Sequence, residues 1–176
     1  MVDARPESRE DRRTRTSNRK PMDDFDRKLL ALVQENSRLT AEQLGERVGL
    51  SASACHRRLK RLRDTAVIEA EIAVVAPEAV GRSLTMIVEV SLEREHPHIV
   101  DAFKRSMRAT PEVMQCYYVT GDADFIIVLT ARDMKSYERF TQRFFFDNPQ
   151  VRRFRTFVVM DRTKVGLGVP MDDDEA

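Results

Sequence analysis

Residues 39–68, LTAEQLGERVGLSASACHRRLKRLRDTAVI, decide the reading of this chain. Thr40 followed three residues later by Gln43 is the spacing of a capping box, and Leu39 with Leu44 stands at the positions of a hydrophobic staple. The first helix should close at Gly49, which can take the left-handed conformation a helix end needs. Ser51 then caps a second helix that should run to about Asp64. In that helix Cys55, Leu59 and Leu62 fall at i, i+4 and i+7 and form one apolar stripe. At about 100° per residue the opposite side carries Ser53, Arg57 and Lys60, flanked by His56 and Arg61. Arg57, Arg58, Lys60, Arg61 and Arg63 crowd together with no acid before Asp64, so the i,i+4 partners of an ordinary charged surface helix are missing. Two capped helices joined by a glycine turn, the second basic on its free side, form the pattern of a helix-turn-helix whose second helix enters the major groove. The expected DNA contacts are Ser51, Ser53, His56, Arg57, Arg58, Lys60 and Arg61, reading base edges from the first two turns and gripping phosphates.

Working outward, residues 1–21 hold many arginines and acids and almost nothing apolar, which predicts a disordered basic arm. Asp23 or Asp24 can cap a helix in which Phe25, Leu29, Leu32 and Val33 face inward, completing a three-helix domain over 22–69. Residues 70–82 are a linker and hinge: 70–75 alternate as a strand that could pair with its copy in a second subunit, and Pro77 and Gly81 mark the boundary. From Ser83 the period changes to two. Strands are expected at 84–92, 113–120, 125–130 and 151–160, with helices opened by Pro97 and capped by Asp133. The second helix should face Tyr137, Phe140 and Phe144 inward. That β-α-β-β-α-β order over 83–165 is ferredoxin-like. Residues 166–176 end in an acidic tail.

The sheet should carry helices on one face only. Its other face keeps apolar residues, among them Ile87, Tyr117 or Tyr118, and Phe157 or Val159, so a second copy is expected to cover it. The net charge of +1 is uninformative as a sum, but basic residues gather in the first third. There is no membrane-spanning run and no signal peptide. Cys55 and Cys116 sit in apolar patterns and read as reduced, buried thiols.

In sequence order, MDDFDRKLL (22–30), VGLSASACHRRLKRL (48–62), PEAVG (77–81), YVTGDADFII (118–127) and FRTFVVMDRTK (154–164) resemble the Lrp/AsnC, or feast/famine, regulators. The resemblance implies an α+β fold: a winged helix-turn-helix domain followed by a ferredoxin-like effector and oligomerisation domain. It implies a cytoplasmic transcriptional regulator that binds double-stranded DNA and forms dimers assembling further, an octamer being expected. It also implies a small effector, usually an amino acid, held where two dimers meet. Carried over, the effector residues are Gly121, Asp122 and Asp124 in the turn, with Met134, Thr156, Val158 and Val159. Backbone N–H groups at a glycine turn can hold a carboxylate and a side-chain carboxylate can hold an ammonium. The bland alternative makes Gly121 the first central residue of a type II′ hairpin. Where family members commonly carry glycine just past the recognition helix, this chain has Ala66, which would be strained in a left-handed position.

Two other functions fit the same architecture. One is a DNA-wrapping protein without an effector. The other is a tetrapyrrole (sirohaem-type) decarboxylase, whose only candidate groups here are His96 and His98. No nucleophile–base pair, metal set or phosphate loop is evident, so neither catalysis nor a cofactor is expected.

Overall fold

The computed structural model describes residues 21–94 and 96–171. The expected basic arm, except for Pro21, and residues 172–176 of the acidic tail lie outside the described residues. The chain divides into two compact units, with boundaries at Ala73/Val74 and Val165/Gly166.

The first unit contains helices α1 (Asp24–Glu35), α2 (Ala41–Val48) and α3 (Ala52–Asp64). Asp23 caps α1 in a reciprocal box with Asp26. Thr40 and Gln43 form the expected box on α2, at 3.3 and 2.9 Å. Gly49 closes α2 at φ 75°, and Ser51 accepts the Ala54 N–H at the head of α3. Gly45 has a reason that its sequence context hides. A Cβ there would stand 2.4 Å from the Leu50 carbonyl oxygen, so only glycine lets the turn fold against α2. Leu29, Leu30, Leu44, Val48, Cys55, Leu59 and Leu62 make the core. Leu30 takes the inward place expected of Phe25, which is 38% exposed. Beyond α3, Ala66 does adopt a left-handed φ of 53°. Within this unit no strand pair follows α3 among the described residues, and the strand expected over 70–75 does not form; instead Arg63 holds Glu71 in a two-pronged ion pair at 2.9 and 3.0 Å. Residues 166–171 belong to this unit. Gln34 both accepts from the Val169 N–H (2.7 Å) and donates to its carbonyl (3.1 Å), and Met171 packs on the helical core.

The second unit contains β1 (Leu84–Leu92), α4 (Pro97–Arg108), β2 (Val113–Tyr118), β3 (Phe125–Ala131), α5 (Met134–Thr141) and β4 (Val151–Val158). All strand pairs are antiparallel in the order β2-β3-β1-β4, the ferredoxin-like topology. Alternation places Met86, Val88, Val90 and Leu92 of β1 and Phe125, Ile127, Leu129 and Ala131 of β3 on the helix side, where Val100, Phe103, Met107, Tyr137 and Phe140 cover them. After Thr141 the helix widens into a π-helical turn, Gln142–Phe146. The extra residue rotates the stripe, so that Phe145 becomes buried and Phe144 only partly so. The register pairs Ile87 with Val128 and Phe157, and Tyr117 with Ile126, on the opposite face of the sheet. Tyr117 and Phe157 there are 51% and 43% exposed.

Candidate nucleic-acid interface

The basic residues of α3 divide into two groups. On one flank Arg58 and Arg61 reach back to α1. Arg58 lies 2.7 Å from Asp23 and 2.9 Å from Asp26, and Arg61 pairs with the other oxygen of Asp26. The guanidinium of Arg58 also lies 5.5 Å from the centre of the Phe25 ring. Asp26 has no exposed surface. Burial alone would raise its carboxyl, but hydrogen bonds from Arg61 and Arg58 outweigh that and hold it below the ordinary carboxylate value. Asp23 is lowered chiefly by its hydrogen bond from Arg58.

On the free flank Ser51, Ser53, His56, Arg57 and Lys60 are exposed. Lys60 pairs with Asp64 at 2.7 Å, but both side chains are well exposed, and such a pair yields readily to a phosphate. The idea that this helix lacks acidic partners is therefore corrected. Asp64 serves Lys60, Glu71 serves Arg63, and the acids for Arg58 and Arg61 come from another helix, which i,i+4 counting does not see. Asp23 and Asp26 are the residues that sequence reasoning missed as anchors of α3. The acid-rich start DDFD was their visible signal.

In the second unit the glycine turn is a loop over 119–124, longer than a two-residue hairpin turn, and closed by the Val119 N–H on the Asp124 carbonyl at 2.9 Å. Gly121 has φ 120°. Asp124 turns its carboxylate onto the Leu92 N–H (2.6 Å), while the Asp122 carbonyl accepts from Ser91 and Arg153. Met134, Thr156, Val158 and Val159 lie elsewhere. β3 leaves the loop at Phe125 and reaches Ala131, opposite Leu84, roughly 20 Å away along the strand. Val158 pairs with Met86 near that far end, and Thr156 is bonded to the Tyr137 hydroxyl. Met134 is 55% exposed. Within one chain Met134, Val158 and Val159 thus lie toward the end of the sheet away from the loop, while Thr156, opposite Val88, lies at mid-strand.

His96 and His98 stack with ring centres 5.7 Å apart at the exposed start of α4. Cys55 and Cys116 are free thiols, the second pushed up to about 11 by burial, which suppresses its reactivity. Among the described residues no helix is long and apolar enough to cross a membrane.

Family comparison agrees with this two-part architecture. Residues 22–63 match the AsnC-type helix-turn-helix domain and residues 85–168 match the Lrp/AsnC ligand binding domain. A helix-turn-helix-type transcriptional regulator of Sinorhizobium fredii is 58% identical, over 86% of this chain and 89% of its own length. The chain belongs to the Lrp/AsnC family of transcriptional regulators. The leucine-responsive regulatory protein of Haemophilus influenzae, another relative, is 32% identical over 89% of this chain and 95% of its own. Among solved structures, a Neisseria meningitidis transcriptional regulator in complex with L-Met superposes with a TM-score of 0.80 at 32% identity, covering 86% of this chain and 98% of that one. As an Lrp/AsnC protein, the chain is a transcriptional regulator whose helix-turn-helix implies DNA binding and whose second domain implies a small-molecule effector.

Proposed function

We propose that this Lrp/AsnC regulator acts in the cytoplasm and docks α3 in the major groove. Ser53, His56, Arg57 and Lys60 face the bases and phosphates, and Ser51 lies at the helix head. Arg58 and Arg61 act first as anchors through Asp26 and reach phosphate only from their outer edges. The supporting observation is the division of α3: a buried carboxylate holds one flank of the helix while the other stays open. Arg57 is the sharpest probe, because a bidentate arginine–guanine contact contributes about 1–3 kcal/mol of discrimination.

The effector in this reading is an amino acid. Because Gly121, Asp122 and Asp124 stand at one end of the sheet and Met134, Val158 and Val159 toward the other, with Thr156 between them, a complete site takes the loop of one copy and the strand end of another. The uncovered sheet face around Ile87, Tyr117 and Phe157 and the exposed apolar linker residues Ile72, Val74 and Val75 favour a two-fold dimer, which assembles further to an octamer. Effector binding and assembly are then reciprocal.

Two measurements test this. Mobility shifts on the promoter beside its own gene should show retardation that salt weakens steeply. A thermal-shift screen of the twenty amino acids should raise the melting point for a small subset. No retardation at moderate salt contradicts the DNA reading; no shift with any amino acid contradicts the effector reading.

A further inference from the structure

The second unit contains a concave cavity of about 400 Å³, away from the residues assigned above to DNA or effector. Leu129, Ala131 and Phe140, all buried, belong to its lining. Arg82, Arg132, Arg139 and Arg143 line it as well, and Glu112 is the only acid among the lining residues. Ser136 and Arg139, at i and i+3 of α5, share one side of that helix, and Arg143 of the π-helical turn lines the same cavity. Met134 stands two residues before Ser136, on the far side, and Tyr137 reaches Thr156 of β4. The cavity therefore occupies a different side of α5 from the effector residues.

Three of these arginines are held by neutral groups, although the Asp133 carboxylate at the head of α5 also feels Arg139. Arg82 donates from Nε to the Thr130 hydroxyl at 2.6 Å and from Nη2 to the Thr130 carbonyl. Arg139 donates to the Ser136 hydroxyl at 3.1 Å, and the Arg143 guanidinium lies 4.7 Å from the Phe144 ring centre. Among the described residues none of the four forms an ion pair, whereas Arg58, Arg61, Arg63 and Arg155 each do. Four like charges about one cavity repel one another unless an anion joins them, and guanidinium forks match carboxylate and phosphate oxygens two at a time.

We propose that this cavity binds a small organic polyanion carrying at least two carboxylate or phosphate groups, at a site separate from the amino-acid effector. A free amino acid is the poorer fit, because its ammonium would find one carboxylate, Glu112, among four cations. The buried apolar residues of the lining suit a compact carbon body, and a concave cavity of this volume suits a small molecule better than a duplex.

The test is titration calorimetry of the full-length protein at low chloride, with citrate and inorganic pyrophosphate as separate probes. At least one should bind saturably, one per chain, with the favoured probe telling carboxylate from phosphate chemistry. R139Q/R143Q should weaken that binding at least about tenfold, since each loses a charge-assisted bond. The exposed side chain of Arg132 allows a milder variant, R132Q, that should weaken it several-fold without touching the core. R105Q/R152Q removes the same charge outside the cavity and should leave binding unchanged. Absence of saturable binding by either probe overturns the proposal. So does equal weakening by R105Q/R152Q, or an effect of R139Q/R143Q on DNA affinity with none on the anions.

Discussion

In the helix unit a carboxylate with no exposed surface, Asp26, holds two arginines of α3. In the sheet unit the arginines around the cavity are steered by hydroxyls, a carbonyl and an aromatic ring, and among the described residues form no ion pair. The same residue type therefore plays opposite parts. A guanidinium whose charge is matched by its own protein sets the angle of a helix; one held in place but unmatched is available to something else. Along α3 both parts occur within two residues, at Arg57 and Arg58, and only the tertiary partner tells them apart.

The largest way to break this contrast is Asp26→Ala. It leaves two partly buried arginines without their acid, and removing one member of a buried pair costs about 3–5 kcal/mol. Urea unfolding should show the helix unit destabilised by that order, with the sheet unit's transition in place. A loss below about 1 kcal/mol, typical of an exposed pair, would mean that the ion pairs hold nothing.

Acid should then separate the units. Asp23 and Asp26 are lowered in the folded state from an ordinary value of 3.8, so their stabilisation is complete above that value and is lost as pH falls through the lower folded values. The sheet unit's one lowered carboxyl among the described residues is Asp133, an exposed helix cap. Circular dichroism or NMR during acidification below pH 3.8 should show the helix unit unfolding first. Simultaneous loss of both units would count against a special role for Asp26.

The smallest change sharpens the contrast by leaving charge untouched. Ala66 adopts φ 53°, where glycine is free and alanine is strained. Ala66→Gly should stabilise the helix unit by about 1 kcal/mol, read as a higher melting temperature. A decrease would show that the turn after α3 is not strained.

Periodicity carried most of the fold into view. Strand alternation, the Thr40–Gln43 box, the Gly49 stop and the Cys55, Leu59 and Leu62 stripe are local signals, and the structure contains them all. Phe25 misled because its ring lies beside the Arg58 guanidinium, partly exposed, while Leu30 fills the core. Phe144 does pack on the core, but at its edge, because the π-helical turn brings Phe145 inward beside it. The pairing of Asp26 with Arg58 and Arg61 crosses more than thirty positions, and no short window contains it. The exposed flank of α3, with Ser53, His56, Arg57 and Lys60, was legible, but not the tying of Arg58 and Arg61 to α1. The cavity arginines, from Arg82 to Arg143, gather only once the chain has folded.

The most direct test of the divided helix is fluorescence anisotropy on a promoter duplex at fixed moderate salt, comparing the native chain with Arg57→Ala/Lys60→Ala. Affinity should fall at least about tenfold, as expected for losing a base contact and a phosphate contact, while the melting temperature stays within about 1 °C. Unchanged affinity, or a loss matched by a fall in melting temperature, would contradict it.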